Sequence, residues 1–237
     1  MARAGILRED DRVELLDGEI LEMTPIGSRH AACVDRLNQL FSDQVRRRAI
    51  VRIQNPIRLS ERSEPQPDLT LLRPRPDFYA QAHPGPGDVL LVVEVAETSA
   101  DVDRDVKVPL YSAARNLGYT FARAASFAGK ALGLAGHVAS PRPSPRALPR
   151  GAGRRPSSDS PPDCAVPGDL SPILRTAQYA RAGILEVWLV DLAGECIEVS
   201  RTPTPQGYQE VRRVRRGDRL VPDAFPDLEF VPDTIIG

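Results

Sequence analysis

Glu94 is a carboxylic acid inside a strongly apolar stretch of the sequence. Residues 89–93 (VLLVV) are mostly β-branched, which is typical of a strand buried on both faces, and the apolar pattern resumes with Val95 and Ala96. A carboxylate there has no obvious route to water, and burying a charge without a partner is costly. The pattern therefore favours a functional role for Glu94, with a solvated strand edge as the alternative interpretation.

Two further residues could act together with Glu94. Asp68 follows Pro67 at the start of a predicted strand, and Lys107 lies on a predicted helix, four residues after Asp103 and on the same helix face. If the two strands are neighbours, Asp68 and Glu94 converge, and two adjacent carboxylates stay ionised only when a cation neutralises them. Hard oxygen ligands suit Mg²⁺ or Mn²⁺. A lysine beside such a metal could orient water and offset charge on a phosphodiester transition state.

Each of these residues also has an ordinary structural interpretation. An aspartate after proline is commonly a turn or strand-start residue, and a single helical lysine is ordinarily a surface residue. One hypothesis without catalysis is a structural α/β protein in which Glu94 and Lys107 form a buried salt bridge. Metal binding distinguishes this hypothesis from a metal-dependent site, because an ion pair alone should bind no Mn²⁺ and gain no thermal stability from it.

Composition excludes several classes of protein. The chain has 237 residues with 31 basic and 32 acidic side chains, so it lacks the global positive charge of many nucleic-acid-binding proteins, although a local groove could still be basic. Cys33, Cys164 and Cys196 form no CxxC pair, which favours a reducing compartment and argues against structural zinc. No apolar run approaches the roughly 20 residues of a membrane span, and no signal peptide is recognisable. We expect a soluble cytoplasmic protein.

The sequence predicts a hairpin, one amphipathic helix and several strands. Asp17-Gly18 is a strong hairpin signal in VELLDGEILEM. Ser28 is predicted to cap a helix over residues 29–45 that has one apolar stripe. Strands are predicted in IVRIQNPIRL, PDLTLLR, VLLVVEVA, ILEVWLVDL and ECIEVSR, followed by a partly exposed edge strand in GYQEVRRVRRGDRL.

Residues 112–178 differ in composition from the rest of the chain. The first half is Ala-rich and could be helical, and the second half is rich in Pro, Arg, Ser and Gly and is predicted to be disordered. A structureless stretch of this length is unusual inside a compact domain. We interpret it as an insertion that interrupts a discontinuous domain formed by residues 1–111 and 179–237.

Five segments together resemble the Uma-two family of restriction-endonuclease-like proteins, within the PD-(D/E)XK nuclease superfamily. The segments are VELLDGEILEMTP, GSRHAACVDRL, RSEPQPDLTLLRPRPDFY, DVLLVVEVAETSADVDRDVKVPLY and YARAGILEVWLVDL. The resemblance implies an α/β fold with a central mixed sheet flanked by helices, and divalent-metal-dependent hydrolysis of phosphodiester bonds. Joining Tyr111 directly to Tyr179 restores the uninterrupted family pattern, which places the insertion within the helix that carries Lys107.

The resemblance also assigns roles. Asp68 matches the PD aspartate, a metal ligand, and Glu94 matches the acidic member of the second half-motif. The lysine of that half-motif falls at Ala96, so the sequence departs from the plain pattern, and Lys107 on the following helix takes its place.

Two further residues would belong to the catalytic set. Glu19 would be an accessory ligand or base, and His30 would touch the site. As alternatives, Glu19 is an ordinary exposed hairpin acid and His30 a first-turn helix residue. Glu14 is a weaker candidate of the same kind as Glu19.

The leading hypothesis is a magnesium-dependent endodeoxyribonuclease that acts on DNA, with a homodimer implied by analogy to superfamily members. The alternative is a relative whose catalysis is impaired by the insertion, either inert or binding nucleic acid or protein through the basic inserted segment.

Overall fold

The computed structural model of the chain describes residues 13–23, 25–97 and 171–237. The predicted helix that carries Lys107 and most of the predicted insertion lie outside these ranges. The described part contains eight strands and three α-helices. The strands are β1 (Val13–Leu16), β2 (Glu19–Glu22), β3 (Ile50–Ile53), β4 (Leu69–Leu72), β5 (Val89–Ala96), β6 (Glu186–Asp191), β7 (Cys196–Thr204) and β8 (Gly207–Arg215). The helices are α1 (Ser28–Val45), α2 (Ser171–Ala182) and α3 (Pro232–Ile236).

Strands β1 and β2 form the predicted hairpin. Asp17 and Gly18 occupy the turn with φ of 52° and 88°, and Leu16 pairs directly with Glu19. A turn with two positive φ values matches the right-handed twist of the flanking strands, which is why Asp-Gly predicts it well.

The other six strands form one sheet in the order β3-β4-β5-β6-β7-β8. Only β5 and β6 run parallel, and every other neighbouring pair is antiparallel. The chain leaves β5 at Ala96 and returns through α2 into β6. The mixed sheet flanked by helices confirms the predicted fold class, and β8 is the predicted, mostly exposed edge strand.

The two long helices cover opposite faces of the sheet. On the α1 face, Phe41 packs against Trp188 and Phe230 with ring centroids 5.7 and 4.8 Å apart. On the other face, Tyr179 of α2 packs in a second cluster with Val92 and Val187. Because side chains alternate along a strand, Glu94 lies on the same face as Val92, toward α2.

The start of α1 differs from the prediction. Ser28 is the first helical residue and Gly27 is the N-cap, without a side-chain hydrogen bond, so the prediction that Ser28 caps the helix is wrong. The backbone N–H of His30 instead donates to Glu97 Oε1 at 3.0 Å. A carboxylate just beyond the end of β5 therefore satisfies one of the free donors at the helix N-terminus. Among the described helices, none is long and apolar enough to span a membrane.

Candidate active site

Asp68 and Glu94 lie side by side on adjacent strands. Leu69 of β4 pairs with Val93 of β5, so continuing this antiparallel register places Asp68 opposite Glu94, on the same face of the sheet. The backbone N–H of Val95 donates to Asp68 Oδ2 at 2.9 Å, which fixes the aspartate against β5. The expected convergence of the two acids is therefore present.

Two side chains of α2 bind the Glu94 carboxylate. The Tyr179 hydroxyl donates to Glu94 Oε1 at 2.6 Å, and Arg175 Nη2 forms an ion pair with Oε2 at 3.1 Å. The ion pair does not have hydrogen-bond geometry, and Oε2 accepts no hydrogen bond from the described residues. Arg175 and Tyr179 are four residues apart and therefore share one face of the helix. The glutamate is completely buried, and α2 supplies its partners.

Arg175 also bridges to the hairpin. Its Nη1 lies 3.1 Å from Glu14 Oε2 and donates to the backbone oxygen of Gln66 at 3.0 Å. Glu14 is only 4% exposed. Glu19 lies on the same face of the hairpin, because it pairs with Leu16 and residues 14 and 16 share a face. Glu14 is thus the hairpin acid whose side chain pairs with the arginine.

Hydrogen bonds surround the carboxylate of Asp68. His30 Nε2 lies 3.1 Å from Oδ2, and Gln54 Nε2 donates to Oδ1 at 3.3 Å. Burial alone would raise the pKa of Asp68, but the His30 hydrogen bond and charge, the charge of Arg175 and the Val95 N–H together hold this pKa below its usual value. Asp68 is therefore ionised at neutral pH, and the structure brings His30 to it as expected.

The cluster formed by Glu14, Asp68, Glu94 and Arg175 carries more negative than positive charge. Among the described residues, three buried carboxylates face the guanidinium of Arg175, a formal charge of −2 when all are ionised and the neighbouring His30 is neutral. Burial raises the pKa of Glu94 well above its usual value, and the charges of Asp68 and Glu14 add to this increase, while Arg175 opposes it. The cluster therefore favours uptake of a proton or a further cation.

The residues present fit a magnesium-type site in ligand type and charge. Asp68 and Glu94 offer hard oxygen donors beside an excess of negative charge, and Mg²⁺ commonly binds through one or two carboxylates while keeping several waters. The described residues contain no group of three or more His, Cys, Asp or Glu side chains arranged to hold a metal. Asp68 and Glu94 are therefore the described residues that would hold such an ion, together with its own waters.

Sequence reasoning missed Arg175 and Tyr179 as partners of Glu94. The structure starts α2 at Ser171, whereas the insertion was predicted to extend to residue 178. One signal could have revealed Arg175: aligning Tyr111 with Tyr179 also aligns Lys107 with Arg175, because each basic residue lies four positions before its tyrosine. Lys107 itself lies outside the described residues.

Comparison with known proteins identifies the family. The sequence model of the Uma2 family, described as "Putative restriction endonuclease", matches residues 3–123 and 169–233, and the unmatched residues 124–168 fall inside the predicted insertion. A crystal structure titled "a putative nuclease belonging to DUF820 from Anabaena variabilis" shares the fold, with a TM-score of 0.53 and 12% sequence identity over 99% of this chain and 94% of that one. No curated protein matches the sequence. Because the family model covers most of the chain, the resemblance seen in the sequence is confirmed, and the protein belongs to the Uma2 family of restriction-endonuclease-like proteins.

Proposed function

We propose that the protein is a metal-dependent endonuclease that hydrolyses phosphodiester bonds of DNA, with the buried acidic cluster as its catalytic centre. The observation that carries the proposal is the adjacent placement of Asp68 and Glu94, with more acidic than basic side chains around them among the described residues. Membership of a family described as "Putative restriction endonuclease" supports a nuclease activity and a nucleic-acid substrate. By analogy with superfamily members that cut both strands, we also propose a homodimer.

Asp68 and Glu94 would hold Mg²⁺ or Mn²⁺. The bound ion would supply Lewis-acid polarisation of the phosphate and a more acidic water. His30 and the Val95 N–H hold Asp68 in its ionised form, with its carboxylate fixed against β5. Tyr179 fixes Glu94 Oε1 and so orients the other oxygen of that carboxylate.

The proposal gives the basic residues different roles. Arg175 is 3% exposed and paired with two acids, so it acts as a positioning residue that limits repulsion inside the cluster. Lys107, by the family pattern, orients the attacking water or offsets charge on the transition state. Glu19, on the cluster side of the hairpin, is proposed as the accessory acid.

The decisive experiment combines cleavage with metal binding. Purified protein is incubated with supercoiled plasmid in Mg²⁺, Mn²⁺ or EDTA, beside Asp68→Asn, Glu94→Gln and the control Asp227→Asn, which changes an exposed acid paired with Arg48. We expect metal-dependent nicking by the wild type and the control only. Mn²⁺ should also raise the melting temperature of these two proteins and not that of Asp68→Asn. No cleavage by the wild type, or equal cleavage by Glu94→Gln, contradicts the proposal.

A second candidate function follows from the ion pair of Arg175. Arg175 already neutralises part of the negative charge that would attract a metal ion. The competing assignment is therefore that this protein binds nucleic acid without cutting it. Retained DNA binding without cleavage, lost on deletion of residues 112–170, would favour it. This deletion keeps α2 and therefore leaves the partners of Glu94 in place.

A further inference from the structure

Phe78 is a large apolar side chain presented to solvent on a loop after β4. It is 67% exposed, the highest exposure among the large hydrophobic side chains of the described residues. Phe78 and the next residue, Tyr79, have φ of 50° and 60°, in the left-handed region that non-glycine residues rarely adopt. Two such residues in succession are strained, and strain of this kind persists only where the surroundings enforce it.

Neighbouring side chains hold the backbone of Phe78 and Tyr79 in this strained conformation. Arg52 Nη2 donates to the backbone oxygen of Phe78 at 2.8 Å, and the Tyr79 hydroxyl donates to the backbone oxygen of Arg73 at 2.8 Å. The guanidinium groups of Arg75 and Arg52 lie 4.5 and 5.6 Å from the centre of the Tyr79 ring. Tyr79 is therefore the buried anchor, and its neighbour Phe78 is held facing outward.

Two arginines around the loop are held in place by hydrogen bonds: Arg52 on β3 and Arg73 at the start of the loop. Arg52 donates to the backbone oxygen of Phe78, and Arg73 donates to the backbone oxygen of Gly87. Within the described residues, neither arginine forms an ion pair with an acidic side chain. Arg75 differs, because Asp77 neutralises it at 2.8 Å. Hydrogen bonds to neutral carbonyls order a guanidinium without cancelling its charge, so Arg52 and Arg73 are available to an anionic ligand.

The loop is connected to the acidic cluster through the edge strand β3. Gln54, directly after β3, donates to Asp68, and Arg52 precedes Gln54 by two residues, about 6.6 Å in an extended chain. An exposed aromatic residue whose backbone is bonded to an ordered arginine, on a strand that leads to Asp68, has the composition of a single-strand binding surface.

We propose that Phe78 stacks on an unpaired base of the nucleic acid while Arg52 and Arg73 contact flanking phosphates. This inference rests on the proposed nuclease function and adds a preference for single-stranded or locally opened substrate. Stacking on one aromatic residue predicts that its removal weakens binding about 5- to 140-fold. Replacement of either arginine should reduce the salt dependence of binding by about one phosphate contact.

The test measures binding without cleavage. Fluorescence anisotropy of a labelled 12-nucleotide single strand, and of its blunt duplex, is recorded in EDTA with wild type, Phe78→Ala, Phe78→Trp and Arg73→Gln. The control is Val211→Ala, which truncates another exposed apolar side chain, on β8. We expect Phe78→Ala to lose single-strand affinity by the stated factor, Phe78→Trp to keep it, and Val211→Ala to match the wild type, with unchanged melting temperatures throughout.

Three results would overturn the inference: single-strand affinity of Phe78→Ala within twofold of the wild type, an equal loss in Val211→Ala, or loss of self-association in Phe78→Ala with binding unchanged. The last result would assign the loop to contact between protein copies. Failure of the proposed nuclease function is seen separately, as absence of metal-dependent cleavage, since the binding assay contains no metal.

Discussion

Replacing Arg175 with methionine removes the cation shared by Glu14 and Glu94 while keeping an unbranched stem of similar reach. Both acids are at most 4% exposed, so they would be left in a buried environment without their ion-pair partner. Breaking a buried ion pair by removing one partner costs about 3–5 kcal/mol. At about 2–4 °C of melting temperature per kcal/mol for a chain of this size, the expected decrease is roughly 6–20 °C.

The same helix provides a matched control. Arg181 pairs with Asp17 at 3.1 Å, but its side chain is 49% exposed, and exposed pairs contribute only about 0–1 kcal/mol. Thermal unfolding followed by circular dichroism should therefore separate Arg175→Met clearly from Arg181→Met. The double variant Arg175→Met/Glu14→Gln should recover part of the loss, because it removes the charge of one of the two acids with which Arg175 pairs.

Two outcomes would refute this reasoning. A melting temperature of Arg175→Met within about 2 °C of the wild type would mean that the arginine does not compensate buried charge. Equal decreases in Arg175→Met and Arg181→Met would mean that the effect belongs to the helix and not to the cluster.

Three further predictions concern single side chains. Tyr179→Phe should destabilise the protein by about 1.5–3 kcal/mol in urea unfolding, because the lost hydrogen bond ends on a carboxylate, whereas Tyr208→Phe, whose hydroxyl bonds to a neutral carbonyl, should cost about 0.5–1.5 kcal/mol; equal costs would contradict the assignment. Phe41→Ala should cost about 3–5 kcal/mol by leaving a cavity beside Trp188, and a cost below 1 kcal/mol in the same assay would show that the site collapses freely. Burial raises the pKa of the Cys33 thiol to about 12, so at pH 8.5 it should be labelled by iodoacetamide only as fast as the protein unfolds, which mass spectrometry of its peptide can measure; rapid labelling under native conditions would refute this.

The parts of the fold that the sequence predicts correctly are those encoded by local patterns. Asp17-Gly18 defines its turn by backbone conformation alone, and the apolar run around Glu94 is dense enough to indicate a buried strand. The capping of α1 was not predictable in this way. The carboxylate at its N-terminus comes from Glu97, far away in the sequence, while the nearby Ser28 is an ordinary helical residue.

In the candidate site, too, local sequence patterns indicate some residues and not others. Asp68 and Glu94 could be paired because the strands that carry them are each recognisable, and antiparallel register does the rest. The role of Arg175 could not be predicted from composition, because this residue lies near the end of the segment interpreted as an insertion. Its identification required either the packing of α2 or the fixed distance between the basic residue and the tyrosine. The roles of Lys107, Glu19 and the metal stay predictions.

The position of α2 has a consequence for the order in which the protein is made. Glu94 is synthesised long before Ser171, yet the guanidinium and hydroxyl that bind it arrive only with the segment from Ser171 to Ala182. A chain that stops before this helix contains Glu94 but lacks both Arg175 and Tyr179. The Glu94 carboxylate would then have neither of these two partners. Formation of the complete Glu94 environment is thereby tied to synthesis of this helix.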